Sequence, residues 1–64
     1  MTNFAQNLKF YREQQNLTQE ELAVKARLGA KVIEKYESGE QVPTTQTILK
    51  LSTILDVPAS VLTE

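Results

Sequence analysis

The sequence predicts an all-α fold, a single bundle of five short helices, and three observations predict it. No stretch shows the period-two alternation of a half-buried strand. Apolar residues recur instead at helical spacing, as in Phe4, Leu8 and Tyr11 or in Ile48, Leu51 and Leu55. Between these runs stand helix start and stop signals, among them Thr18, Gly39 and Pro58.

A first helix is expected from Phe4 to Gln15, capped by Asn3 with Gln6 reaching back. Phe4, Leu8 and Tyr11 form its core stripe, Arg12 lies at the stripe's edge, and Phe10 falls off it as an exposed aromatic. Asn16 breaks this helix. The next, about Gln19 to Ala26, has redundant entry signals: Thr18 caps it, Glu21 completes a capping box, Leu17 faces Leu22 as a hydrophobic staple, and Glu20 and Glu21 meet the positive end of the dipole. Its thin apolar face of Leu22, Ala23 and Ala26 permits close approach by another helix. Arg27-Leu28-Gly29 reads as a turn, with Gly29 capping a third helix from Ala30 to Ser38 that Gly39 stops. On this helix Val32, Ile33 and Tyr36 point inward with Glu37 at their margin, whereas Ala30, Lys31, Glu34, Lys35 and Ser38 point outward. Glu40 to Pro43 is a loop, Thr44 or Thr45 opens a fourth helix running to about Leu55, and Pro58 suits the first position of a last short helix carrying Val61 and Leu62.

Composition narrows the chemistry. The 64 residues allow one domain with a small core, and 41% apolar with 23% charged residues places the chain among globular domains. Cysteine and histidine are absent, which removes thiol nucleophiles, imidazole bases, disulfides and nearly every zinc or iron site. Ser38, Ser52 and Ser60 lack a histidine base, and Glu34 with Glu37, on consecutive helix turns of a domain this small, gives a substrate no cleft. Neither glycine sits in a phosphate-binding strand-turn-helix context. The expectation is therefore no enzyme, no cofactor, no metal and no small-molecule substrate. The start, Met1-Thr2-Asn3-Phe4, carries no export signal and no apolar run reaches membrane-spanning length, so a cytoplasmic protein without membrane partners is expected. The net charge of −1 announces no nucleic-acid partner, so any such binding must come from local placement.

The spacing supplies that placement. A capped helix, a turn of about three residues and a second helix with a polar outer face make a helix-turn-helix over Thr18 to Gly39. The second helix of such a pair enters the major groove while the first crosses the backbone. The N-terminus of helix 2 offers free N–H groups and a positive dipole end to a phosphate, with Gln19 beside them. Lys31 and Lys35, one turn apart, suit guanine edges or phosphates.

In this pattern the chain resembles the Cro and phage-repressor family of helix-turn-helix domains, the XRE type. The resemblance runs from Leu8 to Leu62 and rests on Leu8 and Arg12, L-T-Q-E-E-L-A at Leu17 to Ala23, Ile33, Glu37, Gly39, Pro43-Thr44 and the run Ile48 to Val57. It implies a lambda-repressor-like bundle with helices 2 and 3 as the motif, an Arg12 to Glu37 ion pair joining helix 1 to the end of helix 3, and DNA-facing positions at Thr18, Gln19, Arg27, Ala30, Lys31, Val32, Glu34, Lys35 and Thr44. Three features depart from the family: Arg27 replaces the usual turn glycine, Gly29 and Ala30 replace polar residues at the start of the recognition helix, and Glu34 and Glu40 bring negative charge to the DNA face. Arg27 either accepts an unfavourable backbone conformation or alters the turn, and its place there suits a phosphate contact.

The resemblance further implies a sequence-specific transcriptional regulator of double-stranded DNA, acting as a homodimer on a palindromic operator, with Val57, Val61 and Leu62 as interface candidates. Residues 1–64 form one domain, and the chain is compatible with being the N-terminal part of a longer protein. An alternative reading is a protein-interaction module, since V-I-E-K-Y-E-S-G-E-Q-V-P is similar to the same stretch in multiprotein bridging coactivators.

Overall fold

A computed structural model describes residues 3–64; Met1 and Thr2, which open the N-terminal stretch read above, lie outside the described residues. Five α-helices follow one another, α1 (Phe4–Gln14), α2 (Gln19–Ala26), α3 (Ala30–Ser38), α4 (Thr45–Leu55) and α5 (Ala59–Thr63), with no strand among the described residues. α2 packs on α3 and α4, α1 on α3 and α5, and α4 on α5. α3 is thus held from behind by two helices while its other side faces solvent.

The core draws one stripe from every helix. Leu8, Leu22, Ile33, Leu51, Leu55 and Leu62 are fully buried, and Phe4 meets Tyr36 edge-on with ring centroids 6.0 Å apart. Burying each aliphatic side chain contributes about 1.5–3 kcal/mol. Ala23 and Ala26 are also buried, and their small size lets α2 approach its neighbours closely. Tyr11 is only half-buried, and Phe10 lies outside the core, 54% exposed and edge-on to Tyr11 at 5.0 Å.

Four helix ends share one motif. A left-handed residue follows the helix, its N–H and that of the next residue turn back to the last carbonyls, and the orphan acceptors are satisfied. After α1 the left-handed residue is Asn16, with Leu17 N–H donating to Arg12 O at 3.1 Å; after α2 it is Arg27, with Leu28 N–H donating to Ala23 O at 2.9 Å. Gly39 and Asp56 serve α3 and α4, with Glu40 N–H to Lys35 O at 2.9 Å and Val57 N–H to Ser52 O at 3.0 Å. Leu17, Leu28 and Val57, one place after the left-handed residue, each pack against the core. Arg27 therefore accepts the strained conformation, at φ 57° and ψ 40°, and the turn keeps its shape without a glycine.

Side chains from elsewhere in the chain add to the ends of α2 and α4 and finish that of α5. Gln15 Nε2 donates to Leu55 O at 3.1 Å, Lys50 Nζ to Ala26 O at 3.2 Å, and Asn7 Nδ2 to both Leu62 O and Glu64 O at 3.2 Å. These bonds close the ring of helices at its seams.

Three local expectations are corrected. Asn3 makes no side-chain cap on α1; its backbone has turned away from the extended conformation a cap needs, and its N–H donates to Glu64 O at 3.0 Å. Pro58 stands one place before α5 as its N-cap, and α1 stops at Gln14 with Gln15 as its C-cap.

Candidate nucleic-acid interface

The entry of α2 is built by its caps. Thr18 Oγ1 accepts from Glu21 N–H at 3.0 Å while the Thr18 N–H donates to Glu21 Oε1 at 2.9 Å. The Thr18 backbone N–H first, and the Thr18 hydroxyl second, hold the Glu21 carboxyl below its ordinary pKa, with Lys25 adding a smaller effect of the same sign. The first intrahelical bond runs from Leu22 N–H to Thr18 O, so the N–H groups of Gln19 and Glu20 remain directed outward at the positive end of the dipole.

Behind this entry lies a buried polar junction. Arg12 Nε donates to Glu37 Oε2 at 2.7 Å and Nη2 to Glu37 Oε1 at 3.0 Å, with side-chain exposures of only 10% and 5%. The third Arg12 bond, from Nη1 to Leu17 O at 2.6 Å, fastens the α1–α2 connection. The hydrogen bond to Glu37 raises the Arg12 pKa above its ordinary value, against the opposing effect of burial. Gln19 Nε2 also donates to Glu37 Oε1, at 3.0 Å. One of the two amide N–H groups is thereby engaged, the other is left for a further acceptor, and the side chain is held at the mouth of α2.

The outer face of α3 meets that entry across three shallow, adjoining depressions. The first is lined by Thr18, Gln19, Glu20, Ala30, Lys31 and Glu34; the second adds Lys35, Ser38 and Glu40; the third reaches Lys9, Arg12 and Glu37. Three lysines and the glutamates Glu20, Glu34 and Glu40 share this surface. Its charge is mixed, so a polyanion would be held by the position of individual groups and not by a basic field.

Thr18, Gln19, Ala30, Lys31, Glu34 and Lys35 therefore stand together on one face. Val32 is half-buried against the core, which leaves little of it for a ligand. Arg27 is exposed at the turn and Thr44 caps α4 through Thr47 N–H at 3.2 Å, and neither lines the three depressions. Val57 and Val61 are half-exposed, but Leu62 is fully enclosed by this chain's own core and offers no side-chain surface to a second copy. Lys9 joins this surface with only one signal in the sequence, its three-residue spacing from Arg12, which puts both on one side of α1.

Among the described residues no helix is long and apolar enough to cross a membrane. The profile of the Helix-turn-helix family matches residues 8–62. The chain is 39% identical over 54 residues to the uncharacterized HTH-type transcriptional regulator YqaE of Bacillus subtilis (strain 168), a match covering 84% of this chain and 47% of that protein. The chain thus spans about half the length of the curated relative it matches. The restriction-modification controller protein C.AhdI from Aeromonas hydrophila is similar in structure, with TM-score 0.88 and 34% identity over 92% of this chain and 89% of its own. The biofilm master regulator SinR, solved in complex with DNA, gives TM-score 0.87 and 32% identity over 92% and 95% of the two chains. Hydroxypropylphosphonic acid epoxidase from S. wedmorenis also superposes, with TM-score 0.90 and 26% identity over 98% of this chain, but over only 34% of the enzyme.

Proposed function

This chain belongs to the helix-turn-helix family, of the XRE type, and on that premise we propose that it is a sequence-specific DNA-binding transcriptional regulator. The observation that carries the reading is the shared face of the α2 entry and the outer side of α3, where Lys31 and Lys35 stand exposed beside the outward N–H groups of Gln19 and Glu20. In this reading α3 enters the major groove, the α2 N-terminus and the second Gln19 amide N–H hold a phosphate, and Lys31 and Lys35 meet base edges or phosphates. SinR, solved with DNA, supports DNA as the ligand class. Arg27 and Thr44 belong to the periphery of this surface, as backbone contacts, and Val32 supports α3 from below.

A palindromic operator follows if two copies associate through Val57 and Val61, with Leu62 buttressing them from within, so that the two recognition helices lie about one helical turn of DNA apart. The one small, cofactor-free domain acts as a binding module in the cytoplasm. The mixed charge contributed by Glu20, Glu34 and Glu40 favours a second reading, the protein-interaction module of the bridging-coactivator type. Random-sequence DNA selection followed by binding across a salt series separates the two. A regulator enriches a palindrome and loses affinity steeply with salt; a protein-interaction module enriches no site.

A further inference from the structure

Glu34 occupies the centre of the proposed DNA face. It borders all three depressions, with Lys31 one turn before it and Lys35 immediately after. Its side chain is exposed, and among the described residues the ion pair formed is that of Arg12 with Glu37, so Glu34 keeps its full accepting capacity. A carboxylate in this place is repelled by phosphates and gains only where it meets a base donor. The major groove presents two such donors, the N4 amino group of cytosine and the N6 amino group of adenine. Adenine sets its N7 acceptor beside N6, and a carboxylate has no hydrogen to give it; cytosine makes no such demand. The guanine of the same or a neighbouring pair exposes O6 and N7, both acceptors that suit the flanking lysines. No asparagine or glutamine, the side chains that match adenine with one donor and one acceptor, occurs on α3.

Resting on the DNA-binding reading above, we propose that Glu34 is a specificity-determining residue that accepts a hydrogen bond from cytosine N4 while Lys31 or Lys35 donates to guanine O6 and N7. The half-site read by α3 is then centred on G·C pairs, and an acidic residue on the DNA face selects the base.

The test is random-sequence DNA selection run in parallel on the wild-type protein, Glu34→Gln and Glu34→Ala, with thermal unfolding to verify that these exposed substitutions leave the fold intact. The wild type is expected to prefer cytosine at one position of each half-site by about tenfold or more. Glu34→Gln shifts that position toward adenine, because the amide supplies both a donor and an acceptor, and Glu34→Ala flattens it. A preferred site that is the same for all three proteins, with both variants binding every sequence more tightly, overturns the proposal, since Glu34 then only repels the backbone. A wild type that enriches no sequence fails at the earlier step, and the DNA-binding reading falls with it.

Discussion

Glu34 and Glu37 lie three residues apart on α3 and differ in nearly every physical respect. Glu37 looks into the molecule, 5% exposed, with one oxygen shared by Arg12 and Gln19 and the other held by Arg12 Nε at 2.7 Å. Glu34 looks out, exposed and without an ion-pair partner among the described residues. The inner margin of α3 is thus over-determined and the outer face is left open. The difference teaches how a domain this small presents a ligand surface: α3 is fixed by Ile33, Tyr36 and Glu37, so that Ala30, Lys31, Glu34 and Lys35 need no mutual contacts to be held in place.

Substituting each glutamate in turn should give the largest difference in stability. Glu37→Leu leaves the Arg12 guanidinium buried without its counter-charge and should cost about 3–5 kcal/mol in urea denaturation. Glu34→Gln should stay within about 0.5 kcal/mol of the wild type. Joint replacement by Arg12→Met and Glu37→Leu should cost less than Glu37→Leu alone, since no lone charge remains. Equal losses at positions 34 and 37 would erase the distinction between the faces.

The ends of the two motif helices sharpen it further. Gly39 stops α3 at φ 84° with open space where a Cβ would stand, so Gly39→Ala suffers from the backbone alone and should lose about 1–2 kcal/mol. Arg27 holds the corresponding place after α2 at φ 57°. Arg27→Gly should therefore raise stability by up to about 1 kcal/mol, part of the strain relief being offset by the freer unfolded chain. If Arg27 is also a phosphate contact, the same variant weakens DNA binding and flattens its salt slope; unchanged binding assigns Arg27 to the framework only.

A smaller effect belongs to the capping box. Thr18→Ala should cost about 1 kcal/mol. The Glu21 carboxyl has a lowered pKa in the folded state, so its stabilising effect is present above the unfolded-state value and fades as pH falls through the folded one. The stability gap between wild type and Glu21→Gln should consequently narrow on acidification below about pH 4, and a gap that stays constant from neutral to acidic pH would contradict it.

Much of this framework was legible because its determinants are local. Thr18, Glu21 and the Leu22, Ala23, Ala26 face specify α2 within one short stretch, and helical spacing separates the two sides of α3. The left-handed residue Asn16 was visible as a break, although the motif it shares with Arg27, Gly39 and Asp56 emerges only with the carbonyls that receive the returning N–H groups. What escaped depends on distant partners. Asn3 reads as a cap until the end of α5 takes its N–H, and Leu62 reads as surface until the other helices close over it. Gln19 reads as a free amide until Glu37 is found 3.0 Å away, and Lys9 gains meaning only when α1 is laid beside α3. The resemblance to a family, unlike spacing, named Arg12 and Glu37 as partners; periodicity by itself only put both at core margins.

On the reading proposed above, the outer face of α3 and the entry of α2 together form the DNA-binding surface. Amide chemical-shift mapping of the isotopically labelled protein, titrated with its selected DNA, tests it most directly. The largest shifts are expected at Thr18 to Glu20 and at Ala30 to Lys35, with Ser38 and Glu40 at the border and the Leu51 and Leu55 stretch of α4 nearly silent. Shifts concentrated on α4 and α5, with Lys31, Glu34 and Lys35 unmoved, would contradict it.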